Sequence, residues 1–147
     1  MGIDNVETVR LDHLGLVAQM ADNIFLSETI DKLAGEVDNR EIISTGQAVQ
    51  AMCINCLGFT TRALHLTPQF FQTRDLKFLL GKNKGRANIE LKPEHLNEHK
   101  LGRTLDKIAE IGAEKVFMSV ALTAFRNEKV SVPTLHLDTT THSVYGI

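Results

Sequence analysis

The run from Ser44 to Gly58 is nearly free of charge and is punctuated like a helix at both ends. Ser44 or Thr45 can cap its start, Gln47, Ala48, Val49, Met52, Cys53, Ile54, Cys56 and Leu57 fill its body, and Gly58 stops it. A helix without a charged face has to be wrapped by other elements, so the fold is expected to be built around this one.

The remaining segments read as its wrapping. Leu14, Leu16, Val17, Met20, Ile24 and Leu26 recur at near-helical spacing, which predicts one or two short helices. Leu26, Ile30 and Leu33 share one face of the next helix, with Ser27 as its expected cap and Gly35 as its stop. Pro68 suits the first turn of a short helix holding Phe70 and Phe71, and Leu76, Phe78, Leu79 and Leu80 form another before Gly81. A basic loop, Lys82 to Asn88, follows. Asn97 can cap a helix carrying Leu101, Leu105, Ile108 and Ile111, which Gly112 interrupts. A last helix, about Ala113 to Arg126, is expected to turn Val116, Phe117, Val120, Ala121, Ala124 and Phe125 inward. Most of the seven phenylalanines are expected in the core.

The pattern changes after Pro133. In Thr134 to Gly146 strict alternation sets Leu135 and Leu137 on one face and Thr134, His136 and Asp138 on the other, which reads as strand, turn, strand. The expected fold is mainly α: a multi-helix globular body over residues 1–130 with a C-terminal β-hairpin over 131–147.

At 147 residues, 43% apolar and 23% charged, the chain has the composition of one ordinary globular domain. Neither a signal peptide nor a transmembrane run is legible, so a cytoplasmic protein with no membrane partner is expected. The net charge of −2 hides an asymmetry. Residues 1–61 hold nine acids and three bases, whereas residues 62–147 hold nine acids and thirteen bases, so any nucleic-acid surface belongs to the second half. Bases concentrate at Arg74, Lys77, Lys82, Lys84 and Arg86, a run that is either a solvated loop or a phosphate-contacting surface.

Motifs for other chemistries do not assemble. Cys53 and Cys56 form a single Cys-x-x-Cys deep in an apolar helix, with no second pair to complete a zinc site, and are expected to be buried core residues. His95-Leu96-Asn97-Glu98-His99 matches the His-x-x-Glu-His of inverted zinc peptidases, but Pro93 and the cap at Asn97 put a helix start inside the motif. Gly81-Lys82-Asn83-Lys84-Gly85-Arg86 lacks the Gly-Lys-Ser/Thr ending of a phosphate-binding loop. No Gly-x-Ser-x-Gly elbow occurs.

Taken in order, Arg10-Leu-Asp-His-Leu-Gly-Leu-Val, Thr45-Gly-Gln-Ala-Val-Gln-Ala-Met, Leu57-Gly-Phe, Lys92-Pro-Glu-His-Leu-Asn, Leu101-Gly-Arg-Thr-Leu-Asp and Leu135-His-Leu-Asp-Thr-Thr resemble the amino-terminal region of bacterial insertion-sequence transposases of the DDE class. The resemblance spans nearly the whole chain. It implies a helical amino-terminal domain followed by the first strand of a ribonuclease-H-like catalytic domain. It also implies that Asp138 is the first of three acids that hold two divalent metals, usually magnesium, for attack on a phosphodiester. The second and third acids of the family lie downstream of Ile147, so this chain is expected not to be catalytic alone and to need no cofactor in isolation. Whether it is a piece of a transposase, a degraded element or a domesticated fragment stays open.

Two functions follow as expectations. One is binding of double-stranded DNA at transposon ends through Arg74, Lys77, Lys82, Lys84, Arg86 and Arg103, with Arg62 and Lys100 as further contacts. The alternative is a protein-interaction or dimerisation module, suggested by the acidic amino-terminal third, with a second copy or another protein as partner.

Overall fold

The computed structural model describes Val9 and residues 11–35, 41–60, 62–81, 89–131 and 134. Regular structure among these residues is helical: α1 (Leu14–Asn23), α2 (Leu26–Ala34), α3 (Thr45–Leu57), α4 (Thr67–Phe71), α5 (Leu76–Leu80), α6 (Glu98–Ile111) and α7 (Ala113–Asn127). Single 3₁₀ turns occur at Leu64–Leu66 and Pro93–Leu96. The chain is therefore mainly α. The basic loop over residues 82–88 lies outside the described residues, and so does the hairpin expected over residues 131–147, save for positions 131 and 134.

The uncharged helix is central. Ser44 caps α3 in a capping box, its hydroxyl accepting from the Gln47 amide at 3.1 Å while its own amide donates to Gln47 Oε1 at 3.2 Å. Helices α1, α2, α4, α5 and α6 all pack on it. Ala48, Ala51 and Ile54 join Leu14, Ala18, Phe70, Phe71, Leu79, Leu80 and Leu101 in one apolar core.

What the core also contains is polar. Gln47 and Gln50 are fully buried on α3. Gln47 Nε2 donates to the Leu80 carbonyl at 3.2 Å, and Gln50 Nε2 to the Leu79 carbonyl at 3.0 Å. These carbonyls belong to the last turn of α5, which has no following turn to accept them. A five-residue helix is too short to persist on its own, so the two glutamines and the apolar contacts of Leu76, Leu79 and Leu80 hold it. Gln50 also accepts from the buried Ser27 hydroxyl and reaches Asp22 Oδ1 at 3.4 Å, so one side chain ties α1, α2, α3 and α5 together.

Helices α2 and α3 approach unusually closely. A Cβ at Gly46 would stand 2.1 Å from the Ser27 carbonyl oxygen, so only glycine fits there. The Gly46 amide meanwhile donates to Asp31 Oδ1 at 2.6 Å.

Three expectations need correction. Ser27 does not cap α2: the helix starts at Leu26, after Phe25 turns the corner from α1 in a left-handed conformation (φ 55°, ψ 41°), and Ser27 points into the core. Cys53 and Cys56 are exposed rather than buried, because the small and polar residues of α3, including Ala48, Ala51 and Gln50, form its inner face and leave the cysteines on the other. Most phenylalanines are not core. Phe70 and Phe71 are buried, whereas Phe25, Phe59, Phe78, Phe117 and Phe125 are exposed. On α7 only Val116 is buried, since this last helix rests on α2 and α6 and nothing among the described residues covers its far side. Gly112, at φ 96°, makes the turn between α6 and α7.

No helix among the described residues is long and apolar enough to cross a membrane.

Replacing Gln50 by Leu keeps the volume but removes the donor to Leu79 and the acceptor for Ser27. Urea unfolding should show a loss of roughly 2–4 kcal/mol, the cost of stranding buried polar groups. A change within 0.5 kcal/mol would mean that the glutamine is only a spacer.

Candidate nucleic-acid interface

The cations singled out in the sequence divide into two groups. Arg74, in the turn between α4 and α5, and Lys77, on α5, line one cleft of about 820 Å³ together with Lys92. Asp75 and Glu90 line it too, so the wall carries three bases and two acids. Arg74 is half-buried. Its guanidinium lies 3.9 Å above the Phe70 ring, and Nη1 donates to the Phe70 carbonyl, so the side chain is folded back over α4. Asp75 has a local task, accepting from the Phe78 amide at 2.9 Å as the cap of α5. Lys77 and Lys92 are exposed. Leu76 and Lys77 of α5 line this cleft, and so do Ile89 to Pro93, where the described chain resumes.

Arg103 lies elsewhere. With Lys100, His95, Asn97 and Glu41 it lines a second cleft of about 480 Å³, and no described side chain lines both. Lys100, Arg103 and Lys107 recur at i, i+3 and i+7, which sets them along one face of α6. Acids interleave, with Glu41, Asp106 and Glu110 on the same surface. Lys100 Nζ pairs with Glu41 Oε1 at 3.3 Å. Burial pushes the Lys100 ammonium below its ordinary value of 10.5, against the pull of Glu41, while Arg103 and Lys107 add to the depression.

The histidine motif comes apart as its punctuation predicts. His95 sits in the 3₁₀ turn, where Nδ1 accepts from the Lys92 amide at 3.1 Å, and His99 lies in α6 beyond the Asn97 cap. Among the described residues no three His, Cys, Asp or Glu side chains stand where they could hold a metal ion. Cys53 and Cys56 are exposed one turn apart. Desolvation, and then Cys56, raise the Cys53 thiol, which keeps it protonated and a poor nucleophile. Arg62 is exposed after α3, its backbone held on both sides by the Asn55 side chain at 2.7 and 2.9 Å.

Lys92 and Lys107 were not singled out from the sequence. Lys107 could have been found by its spacing from Arg103, whereas Lys92 comes beside Arg74 only through the packing of the 3₁₀ turn on α4. Asp138 lies outside the described residues, as do Lys82, Lys84 and Arg86.

Residues 6–122 match the family described as a domain of unknown function, DUF4277. The chain belongs to that family. No curated protein matches it, and no solved structure does. Both basic clefts are lined entirely from within the DUF4277 span, whereas Asp138 falls beyond its end.

Glu41→Gln should lower the Lys100 pKa further, because the one neighbour that favours the ammonium is lost. A lysine depressed by folding binds its proton more tightly in the unfolded chain. Stability therefore carries the full burial cost below the folded value and rises with pH from there toward 10.5. Nitrogen-detected NMR titration of Lys100 and melting curves across that window check both statements, and an unchanged Lys100 titration in Glu41→Gln would contradict them.

Proposed function

We propose that the chain is the amino-terminal, DNA-engaging portion of an insertion-sequence transposase, and that it holds duplex DNA by phosphate contacts rather than cutting it. The observation carrying this reading is the convergence of Arg74, Lys77 and Lys92, from separate stretches of the chain, on one cleft; in the sequence the bases Lys82, Lys84 and Arg86 lie between Lys77 and Lys92. Cations from separate elements placed a few residues apart in space can follow the closely spaced phosphates of a duplex. The resemblance of the sequence to transposases supplies the kind of DNA, the ends of the mobile element. Arg103 and Lys100 offer a second, weaker contact, since Glu41 already neutralises Lys100.

The magnesium of the parent family does not enter this function. Asp138 is the single ligand that the resemblance implies within this sequence, and it lies outside the described residues. One carboxylate does not hold two metals, so no cleavage step is assigned.

A second reading, a protein-interaction module, is favoured by one observation: Phe117, Met118, Leu122 and Phe125 are exposed together on α7. The two readings use different surfaces and are compatible.

Binding of duplex DNA should weaken steeply from 50 to 200 mM salt, with a slope of about −0.9 per phosphate contacted. Changing Lys82, Lys84 and Arg86 together to Ala, and Lys77 and Lys92 together to Ala, should each make the slope shallower by roughly 2 to 3. Fluorescence anisotropy measures both. Absence of binding at low salt, or binding indifferent to both sets of changes, would remove the DNA reading.

A further inference from the structure

The cleft of about 480 Å³ beside the first turns of α6 holds an uneven balance of charge. Lys100 and Arg103 line it with His95, and Glu41 is the single acid on its wall. The adjoining cleft shares Glu41, Lys100 and Arg103 but adds Asp106 and Glu110 against Lys107, so its charges cancel. Lys100 is deeply set, its side chain 12% exposed, and Glu41 Oε1 at 3.3 Å takes one of the three ammonium donors. Arg103 donates through Nε to the His99 carbonyl at 3.3 Å, which anchors the guanidinium and leaves its terminal nitrogens for other acceptors. On His95, Nδ1 accepts from the Lys92 amide at 3.1 Å, so the proton of the neutral ring sits on Nε2. Each of the three side chains is thus held through one atom and has donors beyond it. Arg103 also stands near enough to Lys100 to repel its charge, and one carboxylate does not balance the two cations.

We propose that this cleft binds a terminal phosphate group, as a phosphate monoester or free phosphate, with Arg103, Lys100 and His95 as its donors. A terminal phosphate carries three oxygens clear of its ester bond, and three separate donor groups line the site. A backbone phosphodiester carries two and has a sugar on either side, which holds it off from a lysine recessed this far. The planar fork of Arg103 suits two of the oxygens, while Lys100 meets the anion as a point charge. An oxyanion between Arg103 and Lys100 also offsets their mutual repulsion. Ile42, on the same wall, gives the organic part of an ester an apolar surface. Glu41 competes with the ligand for Lys100 and so holds the affinity down. The site goes beyond the weak duplex contact assigned to these residues above. It shares no described side chain with the cleft of Arg74, Lys77 and Lys92, so it stands whether or not that cleft holds DNA.

Titration of the full chain with inorganic phosphate at constant ionic strength, followed by nitrogen-detected NMR at the Lys100 and Arg103 side chains, tests this. The shifts should saturate in the low millimolar range, and the bound anion should raise the Lys100 pKa. Arg103→Gln, at an exposed position, should raise the dissociation constant about tenfold through the loss of its charge-assisted donors. Glu41→Gln should lower it about threefold, because the competing charge is gone. Lys115→Gln, which removes a charge from the exposed start of α7, should leave it unchanged. Competition by duplexes with and without a 5′-phosphate identifies the source. Displacement of inorganic phosphate by the phosphorylated end alone assigns the site to a DNA terminus, and displacement by neither duplex assigns it to a small phosphate ligand; either result supports the site. Equal displacement by both duplexes would reduce it to a backbone contact and overturn the terminal phosphate. Shifts that grow without saturating, or an affinity that Arg103→Gln and Lys115→Gln change alike, would overturn the site itself. Loss of duplex binding in the anisotropy experiment removes the DNA reading and leaves the phosphate titration as it was.

Discussion

The fold depends on two buried amides. Gln47 and Gln50 project from the long uncharged helix α3 and donate to the terminal carbonyls of a helix too short to stand alone. An apolar residue at either position could fill the space but could not satisfy those carbonyls, and an unpaired carbonyl in a closed core costs more than the packing returns. Gln50 has the wider reach, since its oxygen takes the Ser27 hydroxyl while its nitrogen serves α5. The interior is therefore specified by hydrogen bonding as well as by shape, so the relative placement of α2, α3 and α5 has few alternatives.

That arrangement fixes where charge can gather. Because α5 is docked on α3, Leu76 and Lys77 face the same cleft as Arg74. The 3₁₀ turn at Pro93–Leu96 then brings Lys92 to its other wall. The turn also separates the clefts, with Lys92 on one side and His95 on the other. Bases that read as one basic half in the sequence thus become two surfaces of unequal strength, and acids dilute the one on α6 most.

The elements were legible in the sequence because their punctuation is local. Ser44, Gly58, Pro68, Asn97, Gly81 and Gly112 each act within one turn of themselves, and each stands at or beside the element end it predicted. Orientation was less legible. An amphipathic pattern tells which residues share a face but not whether anything covers it. Phe117 and Phe125 looked like core residues on α7 and are exposed, and the apolar helix α3 turned Cys53 and Cys56 outward while burying two glutamines. The polar residues that organise the core were read merely as members of an uncharged helix, because their partners are main-chain carbonyls some thirty residues away. In the candidate interface, Arg74 and Lys77 were found from local charge density, while Lys92 needed the tertiary packing.

The contact at Gly46 gives the molecule a mechanical character. Where Gly46 meets the Ser27 carbonyl the backbones of α2 and α3 are at touching distance, and at that point no side chain lies between them to be compressed or to change rotamer. Helix α7 leans on α2, which leans on α3 through that contact. A load applied to α7 would therefore reach the central helix with little slack, as through a rigid strut, rather than being absorbed by repacking along the way.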